Sequence, residues 1–203
     1  MILEPGTISP GAMYHSMISV VVPRPIAFVS TLSPQGRRNL APFSFFNCIS
    51  SEPPLVGISI LDRPDDPKDT LRNIRDTGEF VVNLATEPLL DAMVKTSGEW
   101  PAHADEFEIS GLGAAASDLV TPPRVVESPV AIECRLHQEL SLGSASFVVG
   151  EILRMHVADE ILVNGRVDAA RLRPVGRLGG EGYCVVTEVL NRSRPKVART
   201  ATE

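Results

Sequence analysis

Arg63-Pro64-Asp65-Asp66-Pro67-Lys68-Asp69-Thr70 gathers two cations and a hydroxyl around the start of an expected helix. Asp66 is the expected N-cap, Pro67 the first helical residue, and Gly78 stands just past Thr77 at the far end. A helix N-terminus presents unpaired N–H groups and the positive end of the helix dipole, a combination that suits a phosphate. Lys68 and Arg63 would add charge and Thr70 a hydroxyl donor. Acidic caps are common at helix starts, so the same residues also read as plain capping beside a solvated lysine.

Three further stretches carry candidate groups. Ala41-Pro42-Phe43-Ser44-Phe45-Phe46-Asn47-Cys48 clusters three of the seven Phe with Ser and Asn, a set that can press backbone amides, a hydroxyl and an amide against a flat aromatic ligand. Its plainer reading is a core strand. Gly176-Arg177-Leu178-Gly179-Gly180-Glu181-Gly182-Tyr183 lets a backbone approach a ligand closely, or simply connects to the last strand. Its spacing is not that of a dinucleotide fingerprint. Thr96 to His103 is a polar loop holding the only Trp, Trp100, which either anchors the loop or covers a bound ring. His15, His103, His137 and His156 show no ligand spacing, so no zinc site is expected. The G-x-S-x-G elbow and the Walker A loop are both missing.

The elements that must position these groups are short. Gly and Pro number 15 and 17 of 203 residues, and the runs between them are rich in Val, Ile and Phe, which points to strands and turns. Strands are expected at Ile26–Leu32, buried on both faces, at Asn39–Phe46, Leu55–Leu61, Glu79–Leu84, Val130–Leu140, Ser146–Val157, Ile161–Val163 and Tyr183–Val189. Val163-Asn164-Gly165-Arg166 is a hairpin signal. In Val130–Leu140, Glu133, Arg135, His137 and Glu139 should share the solvent face. Helices are expected at Pro67–Thr77, Glu87–Thr96 and Asp105–Ile109. The sum is a mainly β, closed antiparallel barrel with two or three short inserted helices. One domain is expected over residues 1–203, with loose tails at 1–12 and 193–203.

Composition removes several classes of function. The net charge of −6 disfavours nucleic acid, and aromatics at 5% disfavour a stacking platform for single strands. No apolar run nears the roughly 18 residues of a membrane span, and the N-terminus does not read as a signal peptide. Cys48, Cys134 and Cys184 are far apart, as in a cytoplasmic protein with reduced thiols.

Pro23-Arg24-Pro25-Ile26-Ala27-Phe28-Val29-Ser30-Thr31, then Asn39 to Asn47 with Pro53-Pro54-Leu55-Val56, then Lys68 to Ile74 with Gly78 to Asn83, resemble in that order the flavin reductase-like, FMN-binding split-barrel family. The resemblance continues through Asp105-Glu106-Phe107 and Gly111-Leu112 to Ser128–Cys134, and spans about residues 13 to 190. It implies an antiparallel Greek-key split barrel, a homodimer, and one FMN per subunit. The ring would lie on Ala41, Pro42, Phe43, Ser44, Asn47 and Cys48, near Ser30 and Thr31. The phosphate would lie at Lys68 and Thr70, with help from Arg63 or Ser44. Trp100, Arg177 and Tyr183 would face the substrate. NADH or NADPH would be the donor. A flavin-dependent monooxygenase or another acceptor would take the electrons, or the chain would be an electron carrier without a nicotinamide site. No side chain need be a catalytic acid or base, because the flavin carries the chemistry.

Overall fold

Alternating apolar runs separated by turn residues leave the chain little choice but to pair strands, and the computed structural model shows how. It describes residues 1–61, 63 and 66–195. Asp62, Pro64, Asp65 and residues 196–203 lie outside the described residues, and with them two members of the first candidate segment and most of the expected C-terminal tail.

In chain order the strands are β1 (Arg24–Pro25), β2 (Ala27–Leu32), β3 (Arg38–Phe43), β4 (Phe46–Ser51), β5 (Pro54–Leu61), β6 (Glu79–Leu84), β7 (Ala114–Ala115), β8 (Arg124–Val125), β9 (Val130–Leu142), β10 (Ala145–Val157), β11 (Leu162–Val163), β12 (Arg166–Val167), β13 (Val175–Arg177) and β14 (Tyr183–Val185). The helices are α1 (Pro10–Val20), α2 (Asp69–Thr77), α3 (Leu90–Thr96), α4 (Glu106–Ser110) and α5 (Ala169–Leu172).

Seven strands form one antiparallel sheet in the order β3-β2-β6-β9-β10-β5-β4. Its two edge strands, β3 and β4, are consecutive in the chain and joined only by Ser44-Phe45, so the sheet must roll until its edges approach. No ladder joins β3 to β4, so the barrel is split there. At the split, Leu40 gives its N–H to Glu106 Oε2 at 3.1 Å, and Pro42 has none to give. The outer edge of β3 is thereby blunted against further pairing. A mainly β fold with a large antiparallel sheet and few short helices is the expected class.

The barrel interior holds Val29, Phe43, Ile58, Phe80, Val82, Ile132 and Val148, with Leu71 and Ile74 of α2 packed on it. The opposite face of β2 presents Phe28, which packs with Leu40, Leu89, Met93 and Phe107 beneath α3 and α4. β2 is therefore buried on both faces, as its unbroken apolar run requires. The Cys134 thiol, buried inside, is pushed up to about 12 by desolvation, the mark of an inert core thiol.

Several elements differ from expectation. α2 starts at Asp69, with Lys68 at the cap position and no side-chain cap. Asp66 instead pairs with Arg72 at 2.6 Å. α1 was not expected, and it takes residues 10–12 out of the supposed tail; Ser9 Oγ accepts from Ala12 N, and Pro10 opens the helix. Tyr183–Val189 is strand only to Val185. The Gly-rich stretch forms a tight turn, with Leu178 N donating to Gly182 O and Gly182 N to Gly179 O. It joins β13 to β14, which with β1 make a separate three-stranded sheet.

Glu133 is fully buried rather than solvent-facing. The segment after β7 lies across it, and Glu133 accepts the N–H of Asp118 and Leu119 at 2.9 and 2.6 Å. His156 Nε2 stands 2.6 Å from the same carboxylate. Burial pushes its pKa up, but these partners outweigh burial and hold it below the usual carboxylate range. Asp118, Glu133 and His156 form a compact group of potential metal-ligating atoms. Each carboxylate is already engaged, and Arg154 holds Asp118 at 2.6 Å, so a cation there would meet a standing positive charge. Among the described residues no helix is long and apolar enough to cross a membrane.

Candidate functional site

The split in the barrel places β3, the start of α2 and the loop after α3 around one cleft. Ala41, Pro42 and Phe43 form its floor, Arg63, Lys68 and Thr70 one wall, and Ser97, Gly98 and Trp100 the other. Six of the expected ring and phosphate residues, with Trp100, thus meet in one place. Lys68 Nζ lies 5.5 Å above the centre of the buried Phe43 ring. Among the described residues no carboxylate lies within ion-pair distance of it. Burial lowers the Lys68 pKa, and the nearby Arg63 charge lowers it further, with Glu99 opposing. An anion placed there would relieve both effects. The N-terminus of α2, without a side-chain cap, supplies backbone donors beside it.

The Thr70 side chain is pinned from behind. Asn39 Nδ2 donates to Thr70 Oγ1 at 2.9 Å and to Thr31 Oγ1 at 3.1 Å, and Asn73 Nδ2 donates to Thr31 Oγ1 at 3.0 Å. This buried quartet locks α2 onto β2 and β3, with Thr70, itself 1% exposed, bordering the cleft. Glu106 also lines the cleft, almost buried, and desolvation raises its pKa. Trp100 donates Nε1–H to Lys95 O at 2.9 Å, which ties the loop back onto α3.

Other expected residues lie elsewhere. Ser30 is fully buried; its hydroxyl donates to Pro123 O and accepts from Asn83 Nδ2, so it fastens the segment before β8 rather than facing the cleft. Thr31 is likewise fully buried in the quartet. Both placements have one cause: β2 is covered on both faces, so each hydroxyl is engaged by partners inside the fold. Ser44 and Asn47 face a second cleft, lined also by Met17, Arg24, Phe45 and Phe46. Ser44 is thus removed from the phosphate side, and Arg63 alone of the two alternatives stays there. Cys48 is exposed on β4. Arg177 stacks on Tyr183 with 4.4 Å from guanidinium carbon to ring centre, in the small sheet rather than beside Trp100.

Arg24, Asn39, Asn73 and Glu106 were not picked out as candidates, although all four lie in the quoted resemblance. A charged or amide side chain inside an apolar run was the available signal. Arg24, between two prolines at the start of the most apolar stretch of the chain, shows it best.

The flavin reductase like domain model matches residues 19–171, which include the first cleft, nearly all of the second and the strand between them. An uncharacterized protein of Halalkalibacterium halodurans is 38% identical over 98% of this chain and 99% of its own length. The structure of nitrilotriacetate monooxygenase component B from Bacillus cereus superposes with a TM-score of 0.92 at 30% identity, over 95% of this chain and 98% of that one. That of the 2-nitrobenzoate 2-nitroreductase of Pseudomonas fluorescens superposes with a TM-score of 0.89 at 32% identity over the whole of both chains. A split barrel, a cleft beside the split and a family match running through both place the chain in the flavin reductase like domain family.

Proposed function

We propose that the chain is an FMN-dependent oxidoreductase, reduced by NADH or NADPH and passing electrons to a separate acceptor. The observation that carries this reading is the pairing, in one cleft, of an uncapped α2 N-terminus and a Lys68 with no carboxylate within ion-pair distance among the described residues, above a floor at Ala41–Phe43. These residues fit a phosphorylated flavin. Lys68, Thr70 and Arg63 would hold the phosphate, and Ala41 to Phe43 would support the ring. When bound, FMN supplies the ring that accepts hydride, so the chain's contribution is placement and electrostatics. Lys68 neutralises the phosphate. The Asn39–Thr70–Thr31–Asn73 quartet keeps the phosphate wall rigid. Trp100, tethered to Lys95, narrows the rim and limits water.

The family and its neighbours support flavin redox chemistry. They favour two destinations for the electrons: flavin supply to a monooxygenase, as in the component B protein, or direct reduction of a small substrate, as in the nitroreductase. Cytoplasmic residence, with three free thiols, belongs to the same proposal. So does a homodimer, because Val20 and Val22 around the end of α1 are 77% and 40% exposed. Light scattering should give twice the chain mass, and a flavin-loaded monomer would remove the dimer.

Anaerobic mixing of the FMN-loaded protein with NADH or NADPH tests the reading. At least one donor should bleach the flavin absorbance near 450 nm, roughly the ordinary position of the flavin band. Flavin that dithionite reduces but neither nicotinamide does would make the protein an electron carrier instead.

A further inference from the structure

We propose that the second cleft, between α1 and the start of β4, binds a small aromatic carboxylate, its ring against Met17, Phe45 and Phe46 and its carboxylate at Arg24. As the class of electron acceptor this rests on the function proposed above; as a binding site it does not.

Arg24 is 6% exposed, yet among the described residues no carboxylate lies within ion-pair distance of it. A buried cation without an acid is costly, and folded chains seldom keep one. Three of its five N–H groups have backbone work: two bonds from Nη1 to Ile18 O and Val21 O at 2.6 and 2.8 Å, and one from Nη2 to Leu178 O at 2.9 Å. These bonds fasten the end of α1 to the Gly-rich turn. A fourth, from Nε to Ser44 Oγ, is long at 3.4 Å, and the fifth N–H has no partner among the described residues.

Fastening alone does not account for the next observation. Across the ladder of β1 and β13, Arg24 stands directly opposite Arg177. Like charges in facing positions destabilise a sheet. Arg177 has no acid partner among the described residues either; it stacks on Tyr183 and donates to Gly180 O. Desolvation lowers the Arg24 pKa, with the Arg177 charge adding to the effect and Tyr14 opposing it. Arg24, its charge reinforced by Arg177 across the ladder, makes this largely apolar cleft complementary to an anion with an apolar body. Planarity is favoured because the Phe45 and Phe46 rings stand beside a guanidinium fork that takes a carboxylate side-on.

The position suits the role. Ala41–Phe43 floors the first cleft and Ser44–Asn47 lines the second, so one short segment runs from the proposed flavin to the proposed acceptor.

Calorimetric titration of the flavin-loaded protein with benzoate and with benzyl alcohol, at low salt, tests the site. Benzoate should bind at least about tenfold more tightly, the scale of a charge-assisted hydrogen bond. Arg177→Gln should weaken benzoate several-fold and leave benzyl alcohol unchanged; this variant keeps the test open if Arg24→Gln fails to fold. Equal affinities, an Arg177→Gln variant that binds benzoate as well as the parent, or a cleft closed to both probes by a second copy of the chain would each overturn the proposal. Benzoate binding to a protein that no nicotinamide bleaches would uphold the site and sink the functional reading; bleaching without benzoate binding would do the reverse.

Discussion

Replacing Lys68 by alanine should weaken FMN binding by about 1.5–3 kcal/mol, roughly ten- to a hundredfold, and leave riboflavin nearly untouched. Lys68 sits over Phe43 with no carboxylate within ion-pair distance among the described residues, and the nearby Arg63 charge adds to the strain of its burial while Glu99 only partly opposes it. A phosphate is what that charge lacks. Riboflavin keeps the ring and the ribityl chain and loses only the phosphate, so the comparison isolates the one interaction. Equal weakening of both ligands, read by flavin fluorescence titration of the apoprotein, would make Lys68 a structural residue. Thr70→Ser, which keeps the acceptor for Asn39, should cost less than Lys68→Ala, whereas Thr70→Val also strips the buried Asn39 amide of an acceptor and should lower stability too.

The second large effect concerns the barrel rather than the ligand. A methyl group on Gly150 would stand 2.3 Å from the Phe80 ring edge, and Phe80 is fully buried. β10 breaks register beside this residue, and the missing side chain leaves room for the tip of the ring. Gly150→Ala should therefore cost about 1–3 kcal/mol by overpacking, and Phe80→Ala about 3–5 kcal/mol by leaving a cavity. Combining Gly150→Ala with Phe80→Leu should cost clearly less than the two changes summed, since the smaller side chain makes room for the methyl. Urea midpoints measure all of these, and strict additivity would mean that the two positions do not press on each other.

How far the sequence could be read follows from which forces were local. β2 was legible because seven apolar or small residues in a row admit burial on both faces. The same fact, taken one step further, accounts for the Ser30 and Thr31 hydroxyls bonding to partners inside the fold. α2 was legible from Pro67 and Gly78, but its first turn shifted because Asp66 reaches Arg72 instead of capping. α1 escaped because its Ser9-Pro10 signal precedes a stretch without a clear apolar stripe, and Ile18 is its only buried residue. Glu133 was assigned to solvent by strict alternation; a loop from far along the chain covers it, which no local pattern encodes.

The site divides the same way. Lys68, Thr70, Arg63 and Ala41–Phe43 line one cleft, a meeting that the family resemblance implied, while spacing and chemistry marked only two separate segments. The division of Ala41–Cys48 between two clefts depends on the turn at Ser44-Phe45, where the sheet closes on itself, and is a property of the whole barrel. Arg24 facing Arg177 is likewise a long-range pairing, invisible until β1 meets β13.

The central claim is that an FMN phosphate rests on the α2 N-terminus beside Lys68, and phosphorus NMR of the FMN-loaded protein tests it most directly. Free phosphate monoesters change charge with a pKa of about 6. Held by a lysine and helix N–H donors, the bound phosphate should give a resonance displaced from that of free FMN and unchanged across pH 5 to 8, roughly the range in which the free group titrates. A resonance that matches free FMN and follows its titration would place the phosphate in solvent and contradict the account.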